Sequence, residues 1–319
     1  MHLVRVSGNA FRPLINTQWL SRAFPLIIMQ NKLKHSELRE SLKAGNPTPF
    51  VGIYDVFSAS LVAKHQNHIF VSGFGFGASH YGLPDAGFIT WTDLVDFVQR
   101  VRKVAPSSEI LVDIDDGFGD SKVACHVAQA LEDTGAFGIV LEDQRRPRKC
   151  GHLGGKQVLP MDEYLIKLET VLKARDKLFV VARTDADSEE EILRRIEAYA
   201  AAGADAVLAD GITDLNTIAK IRSKVKCPIA FNQIAGGKSP EVDLDQLKAL
   251  GAAVIIYSTP CLFAAHRAIE DALTTIKASN GSLSQLLKRD VDLATCNEQL
   301  EKNRSARYHS KKGAAAPQI

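Results

Sequence analysis

Three carboxylates follow one apolar run of the chain. The segment VDIDDGFG (112–119) places Asp113, Asp115 and Asp116 directly after that run and ahead of two glycines. Carboxylates this close repel one another unless a cation neutralises them, and hard oxygen ligands suit Mg²⁺ or Mn²⁺. Glu142, at the end of the next apolar run, could reach the same ion. We therefore predict a divalent metal site; the alternative is a helix-capping cluster, since Asp and Gly are common before helices.

A second segment combines a thiol with cations. EDQRRPRKCGH (142–152) places Cys150 directly after basic residues, with His152 two positions later and glycines beyond. Neighbouring positive charges lower the pKa of a thiol and fit it for proton transfer or nucleophilic attack. A structural cysteine is expected in an apolar strand or helix, as for Cys125 and Cys227. We predict that Cys150 is functional and that its glycine-rich loop closes over the site as a lid.

Eight apolar runs alternate with amphipathic stretches from residue 49 onward. Continuous apolar runs are typical of parallel strands that are buried on both faces. Eight regular repeats predict a (β/α)₈ TIM barrel, with an open Rossmann-type sheet as the alternative. The predicted strands span residues 50–54, 68–72, 109–113, 137–141, 178–182, 205–209, 228–232 and 253–257, and the predicted helices include 91–104, 122–134, 161–175, 189–202 and 214–224.

A barrel gathers its catalytic residues just past the carboxyl ends of its strands. Each predicted strand ends in a polar or charged residue at that position. Polar loops occur in any barrel, but acids after four of the apolar runs and an arginine after a fifth favour an active site. The residues concerned are Asp55, Ser72, Asp113 with Asp115, Glu142, Arg183, Asp210, Asn232 and Ser258.

The composition narrows the class of protein. The 319 residues are 45% hydrophobic and 24% charged, with a net charge of +2, so no basic field indicates nucleic-acid binding. Five scattered cysteines favour reduced thiols over a disulfide framework. No apolar run reaches the roughly 18 residues of a membrane span. We expect a soluble protein with neither a membrane nor a nucleic-acid partner.

The termini differ from the central repeats. Residues 1–35 carry five Lys/Arg and no Asp or Glu, which is typical of a mitochondrial transit peptide; an unstructured extension, or an upstream start codon with Met29 as the true beginning, are the alternatives. We predict a catalytic barrel over 36–278, a C-terminal helix over 279–303 whose amphipathic part is 283–300, and a flexible tail over 304–319. The expected location is the cytoplasm, or the mitochondrial matrix if residues 1–35 are a transit peptide.

Taken together, the motifs resemble those of a known enzyme superfamily. DxDxGxG, EDQ…KCGH…GK, ARTDA (182–186) and GLPDAG (82–87) are similar to motifs of the isocitrate lyase and phosphoenolpyruvate mutase superfamily, in its 2-methylisocitrate lyase and 2-alkylmalate- or oxaloacetate-cleaving branch. The resemblance covers residues 36–273. It implies a Mg²⁺-dependent lyase that breaks or forms a carbon–carbon bond in a small 2-hydroxy or 2-oxo di- or tricarboxylic acid and releases a 2-oxo acid such as pyruvate or glyoxylate. It also implies a homotetramer with a helix exchanged between subunits.

The resemblance implies roles for the metal site. Asp113 and Asp115 would hold Mg²⁺, directly or through water, and Glu142 would complete the shell. Asp55 would lie near the metal. In such a reaction the 2-hydroxyl, polarised by the ion, loses its proton, the carbon–carbon bond breaks and cations stabilise the aci-carboxylate.

The loop carries the implied proton donor. Cys150 would protonate the carbanion, with Gly151 and His152 shaping the site around it. Arg148 and Lys149 are further catalytic candidates, although the lyases usually have lysine at the first of these positions. If that lysine carries a proton, an arginine cannot replace it.

The substrate would be held by the neighbouring strand ends. The backbone of Ser72, Gly73 and Phe74 and the side chain of Arg183 would bind the 2-oxo acid half, and Asn232 would orient the other carboxylate. Asp210 is a further substrate-binding candidate. Phe74 replaces a small glycine of the methylisocitrate lyases and Asp210 a glutamate, so methylisocitrate itself fits less well than a related acid. The alternatives are a phosphonate mutase or hydrolase of the phosphoenolpyruvate mutase type, which usually has an Asn-containing loop in place of Cys-Gly-His, and an inactive barrel.

Overall fold

The central sheet closes on itself. The structure, a computed structural model, describes residues 35–286 and 291–309. Its strands are all parallel and pair in sequence order, with β8 closing on β1. The predicted TIM barrel is confirmed. The strands are β1 Thr48–Ile53, β2 His68–Val71, β3 Glu109–Asp113, β4 Gly138–Glu142, β5 Phe179–Thr184, β6 Ala206–Ala209, β7 Ile229–Gln233 and β8 Ala252–Tyr257.

The strand ends determine which polar residues become neighbours. All eight predicted strands are present, and no strand end differs from its predicted position by more than two residues. In β4 and β5 the shift has a consequence, because these strands extend to include Glu142 and Arg183. The two residues are directly paired in the parallel register, which places the Glu142 carboxylate beside the Arg183 guanidinium at the carboxyl end of the barrel.

Helices surround the barrel. Residues 35–43 form α1 ahead of the first strand. The helices that follow α1 are α2 Val56–His65, α3 Gly73–Tyr81, α4 Trp91–Val104, α5 Ser121–Asp133, α6 Met161–Ala174, α7 Glu189–Ala201, α8 Asn216–Lys224, α9 Leu244–Leu250, α10 Pro260–Ala278 and α11 Leu293–His309. The five predicted barrel helices, α4 to α8, are all present within two residues of their expected ends.

One end of the barrel is filled with apolar side chains. Phe137 stacks on Phe50 and Phe179, with ring centroids 6.2 and 5.0 Å apart. Leu38 and Leu42 of α1 are buried in this same interior cluster. Because the strand starts are closed by this packing, the polar strand ends at the opposite face are left to form a site.

The C-terminal helix begins later than predicted. The prediction of a helix over 283–300 is wrong at its start, because α11 begins at Leu293, where Asp292 caps it by accepting a hydrogen bond from the Thr295 amide at 2.8 Å. The helix also continues past residue 304, where a flexible tail was expected. Residues 1–34 and 310–319 lie outside the described residues, so the predictions made for them stay predictions. No helix within 35–286 or 291–309 combines the length and apolarity that a membrane crossing requires.

Candidate active site

The ends of β3 and β4 bring three carboxylates together. The ladder between the strands continues past β3, with the Ile114 amide donating to the Val140 carbonyl at 3.0 Å and the Glu142 amide to the Asp115 carbonyl at 2.9 Å. Asp115 has a φ of +50°, in the left-handed region that non-glycine residues seldom occupy. This backbone fixes Asp115 beside Glu142.

Asp113 and Asp115 share a recess beside Gly73. A Cβ atom at Gly73 would lie 3.2 Å from an oxygen of each carboxylate, so glycine leaves the space next to them free. Both carboxylate oxygens of Asp115 are buried and accept no hydrogen bond from the described residues. Buried carboxylates normally have donors or a cation as partners. The donor set and the unsatisfied oxygens therefore fit Mg²⁺ or Mn²⁺.

The oxygens of Glu142 face two arginines. Within the described ranges no three carboxylate, histidine or cysteine side chains converge on one point as metal ligands. Arg148 lies between the acids: its Nε is 2.8 Å from Glu142, its Nη2 is 3.3 Å from Asp115, and Nη1 contacts Asp85. The predicted metal ligands are thus neighbours, but an arginine of the loop occupies the space between two of them.

Burial has the largest effect on the pKa values of Asp115 and Glu142, whereas the neighbouring acids determine that of Arg148. It raises the pKa of Asp115 to about 7 despite the opposing effect of Arg148, and it raises the pKa of Glu142 well above its usual range. Burial alone would lower the pKa of Arg148, but Asp115, Glu142 and Asp85 raise it well above the usual value. Arg148 therefore stays charged.

Arg183 forms a second ion-pair centre. Its guanidinium lies 2.8 Å from Asp210, 2.9 Å from Asp185 and 3.3 Å from Glu142. Burial would raise the pKa of Asp210, but Arg183 and then His152 outweigh it and lower the pKa well below its usual value. Arg183 and Asp210, each predicted as a substrate-binding residue, therefore form a fixed, ionised contact beside Glu142.

Polar side chains of β7 and β8 complete this wall. Asn232 donates to Asp210 at 3.0 Å, and its own oxygen accepts from the Ser258 hydroxyl at 2.7 Å. His152 accepts a hydrogen bond from the Lys238 amide at Nδ1, 2.9 Å, so its other ring nitrogen carries the proton in the neutral ring and faces Asp210 at 3.5 Å. Asn232 and His152 are thereby held in single orientations.

The predicted lid lies closed against the ion pairs. A Cβ atom at Gly151 would come within 2.0 Å of the Asp210 carboxylate and 2.4 Å of the Arg183 guanidinium, so only glycine fits there. The Gly151 carbonyl accepts from the buried Lys156 amine at 2.7 Å, and the same amine lies 2.9 Å from Asp185. These contacts fasten the loop over the strand ends.

The prediction of a low Cys150 pKa is wrong. Burial, with a smaller contribution from Asp85, raises the pKa of the thiol to about 11. The flanking cations do not counter this, because Arg148 is turned into the acids and Lys149 is exposed. Cys150 is therefore a protonated thiol at neutral pH, which suits a proton donor better than a nucleophile.

The glycine-rich helix α3 supplies backbone donors. Ser72 is its N-cap and accepts from the Gly75 amide at 3.1 Å, and the amides of the first turn favour an anion at this end. The ring of Phe74 meets Phe263 of α10 edge-on, with centroids 6.2 Å apart. Gly73, at the start of this helix, lies next to Asp113 and Asp115. The carboxylate-binding role of the backbone of Ser72, Gly73 and Phe74 stays a prediction.

Asp55 has a different set of contacts. Its carboxylate caps α2 by accepting from the Ser58 amide at 2.6 Å, and no described contact joins it to Asp113 or Asp115. Its predicted place near the metal stays a prediction. Asp85 instead reaches the metal carboxylates through Arg148.

Sequence reasoning missed three members of the site. Asp85, Lys156 and Asp185 do not stand at the first position after a predicted strand, where we searched; Asp185 directly follows β5 only because that strand extends two residues beyond its predicted end. Their signal was present in the motifs GLPDAG, GK and ARTDA, which served only to indicate the resemblance.

Asp143, the residue after Glu142, has a separate environment. Its carboxylate accepts from the Thr184 hydroxyl, the Asp185 amide and the Tyr199 hydroxyl at 2.7, 3.0 and 2.7 Å, and from Arg195 at 3.0 Å. Asp143 therefore ties β4 to β5 and α7, behind the site.

Known proteins share both the sequence and the fold. The chain is 35% identical to the petal death protein of Dianthus caryophyllus over 232 residues, 71% of this chain and 73% of that one. It is 34% identical to 2-methylisocitrate lyase of Bacillus subtilis over 237 residues, 73% of this chain and 78% of that one.

Two solved structures extend the comparison. A 2,3-dimethylmalate lyase of the PEP mutase/isocitrate lyase superfamily superposes with a TM-score of 0.80 at 25% identity, covering 88% of this chain and 96% of that one. A phosphonopyruvate hydrolase solved with oxalate and Mg²⁺ has a TM-score of 0.75 at 24% identity over 87% of this chain and 98% of that one. Residues 38–277 match the phosphoenolpyruvate phosphomutase family model. The chain therefore belongs to the phosphoenolpyruvate phosphomutase family, within the PEP mutase/isocitrate lyase superfamily.

Proposed function

We propose that the chain is a divalent-metal-dependent lyase that cleaves a carbon–carbon bond in a small 2-hydroxy or 2-oxo di- or tricarboxylic acid and releases a 2-oxo acid. The observation that carries the proposal is the protonated Cys150 thiol on a loop fastened over the Arg183–Asp210 pair, beside the carboxylates of Asp113 and Asp115. Relatives named as 2-methylisocitrate and 2,3-dimethylmalate lyases support this class of reaction.

The metal proposal rests on charge. Six buried or nearly buried acids share the site with only three buried cations, and burial disfavours the ionised forms of Asp115 and Glu142. A further positive charge is therefore needed to ionise these acids together and to attract an anionic substrate. Asp113 and Asp115, with Glu142 once Arg148 withdraws, would hold Mg²⁺ or Mn²⁺. A bound ion would supply Lewis-acid polarisation of the substrate oxygen. The acids are Asp85, Asp113, Asp115, Glu142, Asp185 and Asp210, and the cations are Arg148, Lys156 and Arg183.

Side chains and backbone amides of the chain would bind the substrate and transfer the proton. The amides at the start of α3 and the guanidinium of Arg183 bind the carboxylate and oxygen of the 2-oxo acid half, and Asn232 orients the other carboxylate. When the bond breaks, its electron pair stays on the departing carbon. That carbon takes the proton of Cys150, the 2-hydroxyl proton leaves to solvent or to a carboxylate, and the thiolate is reprotonated. A 2-oxo acid such as oxaloacetate must first add water to its carbonyl, and the resulting hydrate supplies the hydroxyl. A pKa of about 11 keeps the thiol ready for the next turnover.

The pocket wall argues for a compact substrate. Phe74 and Phe263 place two rings beside the start of α3, and Asp210 is already fixed by Arg183 and Asn232. We expect 2-alkylmalates or oxaloacetate to be cleaved faster than methylisocitrate. The test is to incubate the protein and Mg²⁺ with each acid and identify the products by NMR. Turnover of none of them would overturn the lyase proposal.

Carbon–phosphorus chemistry is the second candidate, because the family also contains a carboxyvinyl-carboxyphosphonate phosphorylmutase, 34% identical over 250 residues. The Cys150–Gly151–His152 loop favours the lyase. Phosphonopyruvate, followed by ³¹P NMR, belongs in the same panel. Its turnover in place of the carboxylic acids would support the mutase or hydrolase, and inactivity on all compounds would support an inactive barrel.

Assembly is also proposed. None of the α10 residues is buried in the single chain, and Ile269 and Leu273 are more than half exposed. An apolar helix face of this kind favours the homotetramer with exchanged helices that the family resemblance implies. Light scattering after gel filtration should give four times the chain mass of 34.8 kDa; a monomer would contradict the proposal.

A further inference from the structure

The unusual feature of the site is a cation that belongs to the chain itself. The Arg148 side chain is 1% exposed, and its contacts are to Asp85, Asp115 and Glu142. Asp115 and Glu142 are two of the residues proposed to hold the divalent ion. An arginine guanidinium and a divalent cation cannot share the space between the same two carboxylates.

We propose that Arg148 is an internal competitor of the divalent cation: its guanidinium neutralises Asp115 and Glu142 in the metal-free chain, and metal binding displaces it. The inference rests on the proposed metal site. It gives Arg148 a positioning role in place of proton transfer, for which its permanent charge is unsuited.

The carboxylate geometry supports displacement. Arg148 binds Glu142 through hydrogen bonds at 2.8 and 3.5 Å, but its approach to Asp115 is an ion pair at 3.3 Å without a hydrogen bond. The guanidinium therefore supplies charge to Asp115 without satisfying its oxygens. Asp85 contacts the outer nitrogen Nη1 and would keep Arg148 paired after it leaves the other two acids.

Displacement connects the metal to the lid. Arg148 is two residues from Cys150 and lies in the same loop, whose other contacts include the Gln144 bonds to the Lys149 backbone, the Lys156 bond to Gly151 and the Lys238 bond to His152. When metal takes Asp115 and Glu142, the loop loses one of its contacts. Thermodynamic linkage then requires that a loop held down by Arg148 weakens metal binding to the same extent.

Arg146 offers a matched control in the same loop. It makes a bidentate ion pair with Asp116, at 2.8 and 2.7 Å, and has no described contact with Asp115 or Glu142. Arg146→Gln removes the same charge from the same loop without opening the space between the metal carboxylates.

The experiment is Mn²⁺ binding to the full chain without substrate, measured by electron paramagnetic resonance and calorimetry. Arg148→Gln should bind Mn²⁺ about tenfold more tightly than the parent, in the range of ordinary coupling between sites. Arg146→Gln should stay within about twofold of the parent. Arg148→Lys keeps the charge but loses the bidentate geometry, and should give an intermediate affinity even if Arg148→Gln folds poorly.

Hydrogen exchange supplies a second readout. Mn²⁺ should increase exchange in residues 145–155 of the parent, whereas in Arg148→Gln this segment should exchange faster from the start and respond little to metal. Equal or weaker Mn²⁺ binding by Arg148→Gln and Arg148→Lys would overturn the inference while leaving the metal site intact. Absence of Mn²⁺ binding in the parent and in all the variants would overturn the metal site and the inference together.

Discussion

Glu142, the last residue of β4, and Asp143, which follows it, are both buried acids beside arginines, yet their surroundings differ. The partners of the Asp143 carboxylate lie on β5, directly after β5 and on α7, and together they donate four hydrogen bonds to it. Glu142 is paired with an arginine of the lid and shares Arg183 with two other acids. Saturation by rigid partners indicates a structural carboxylate, whereas incomplete pairing to a mobile partner indicates a functional one.

The difference lies in what each cluster can still accept. The Asp143 cluster has no acceptor left to offer a ligand, so its contribution is to hold Thr184 and Asp185 in place behind Arg183. The Glu142 cluster has an excess of acids and, in Asp115, two buried oxygens without a hydrogen-bond donor among the described residues. Two consecutive residues at the carboxyl end of β4 thus have different roles: Asp143 stabilises the barrel, and Glu142 belongs to the candidate active site.

The largest expected effect is on the functional side. Cys150→Ser should lower the turnover number by about a thousandfold, since a positioned general acid contributes roughly 10²–10⁴-fold. The hydroxyl fills the same space but is a far weaker acid. Mn²⁺ affinity should be unchanged, because the thiol is not a proposed metal ligand. A serine variant that turns over at the normal rate would remove the thiol from the reaction.

The next effect should be confined to stability. Asp143→Asn should lower the free energy of unfolding by about 2–3 kcal/mol, because it removes the charged acceptor of four buried donors and leaves Arg195 with Glu191 as its one remaining carboxylate among the described contacts. Glu142→Gln should cost less than half of that in chelated buffer, since burial, together with the neighbouring Asp185 and Asp115, already raises the pKa of Glu142 and disfavours its ionised form. Urea unfolding of both variants checks this. Equal losses would break the distinction between the two clusters.

A smaller effect concerns thiol reactivity. At pH 8 Cys150 should react with iodoacetamide about a hundredfold more slowly than in the urea-unfolded chain, because a pKa of about 11 against the ordinary value of 9.0 reduces the thiolate fraction by that factor. The rate should keep rising up to about pH 11. Mass spectrometry of the modified peptide measures it. Rapid modification at pH 8 would restore the low pKa that the flanking cations suggested.

The smallest effect is stabilisation by the ion itself. Mg²⁺ at ten times its dissociation constant should raise the free energy of unfolding by about 1.4 kcal/mol, since it binds the folded state alone. Asp115→Asn should abolish this gain. Asp116→Asn, whose parent carboxylate is paired with Arg146, should retain it. Thermal unfolding with and without Mg²⁺ compares the variants, and a gain preserved in Asp115→Asn would place the ion elsewhere.

Much of the architecture follows from the sequence. Buried parallel strands produce continuous apolar runs, and glycines such as Gly135, Gly203 and Gly251 mark helix ends with positive φ. The barrel and the family are accordingly confirmed by the structure and the comparisons, and relatives named as lyases support the predicted class of carbon–carbon lyase. The late start of α11 was missed because the amphipathic pattern begins before Asp292, the residue that caps the helix.

The sequence predicted which residues belong to the site better than it predicted their ion pairs and pKa values. Strand-end position identified Glu142, Arg183, Asp210 and Asn232, because parallel strands end at one face. It could not reveal that Arg148 turns away from Cys150 and into the acids. The direction of the Arg148 side chain depends on a contact distant in sequence, with Asp85. Counting the charges next to Cys150 in the sequence therefore predicted a lowered thiol pKa, whereas the pKa is raised.

The most direct test of the metal-dependent thiol mechanism is turnover of the best carboxylic acid substrate after exhaustive chelation, followed by return of Mg²⁺. Activity should disappear in chelated buffer and return with Mg²⁺ in the parent, while Asp115→Asn stays inactive at the same concentrations. Undiminished turnover by the chelated parent would contradict the account.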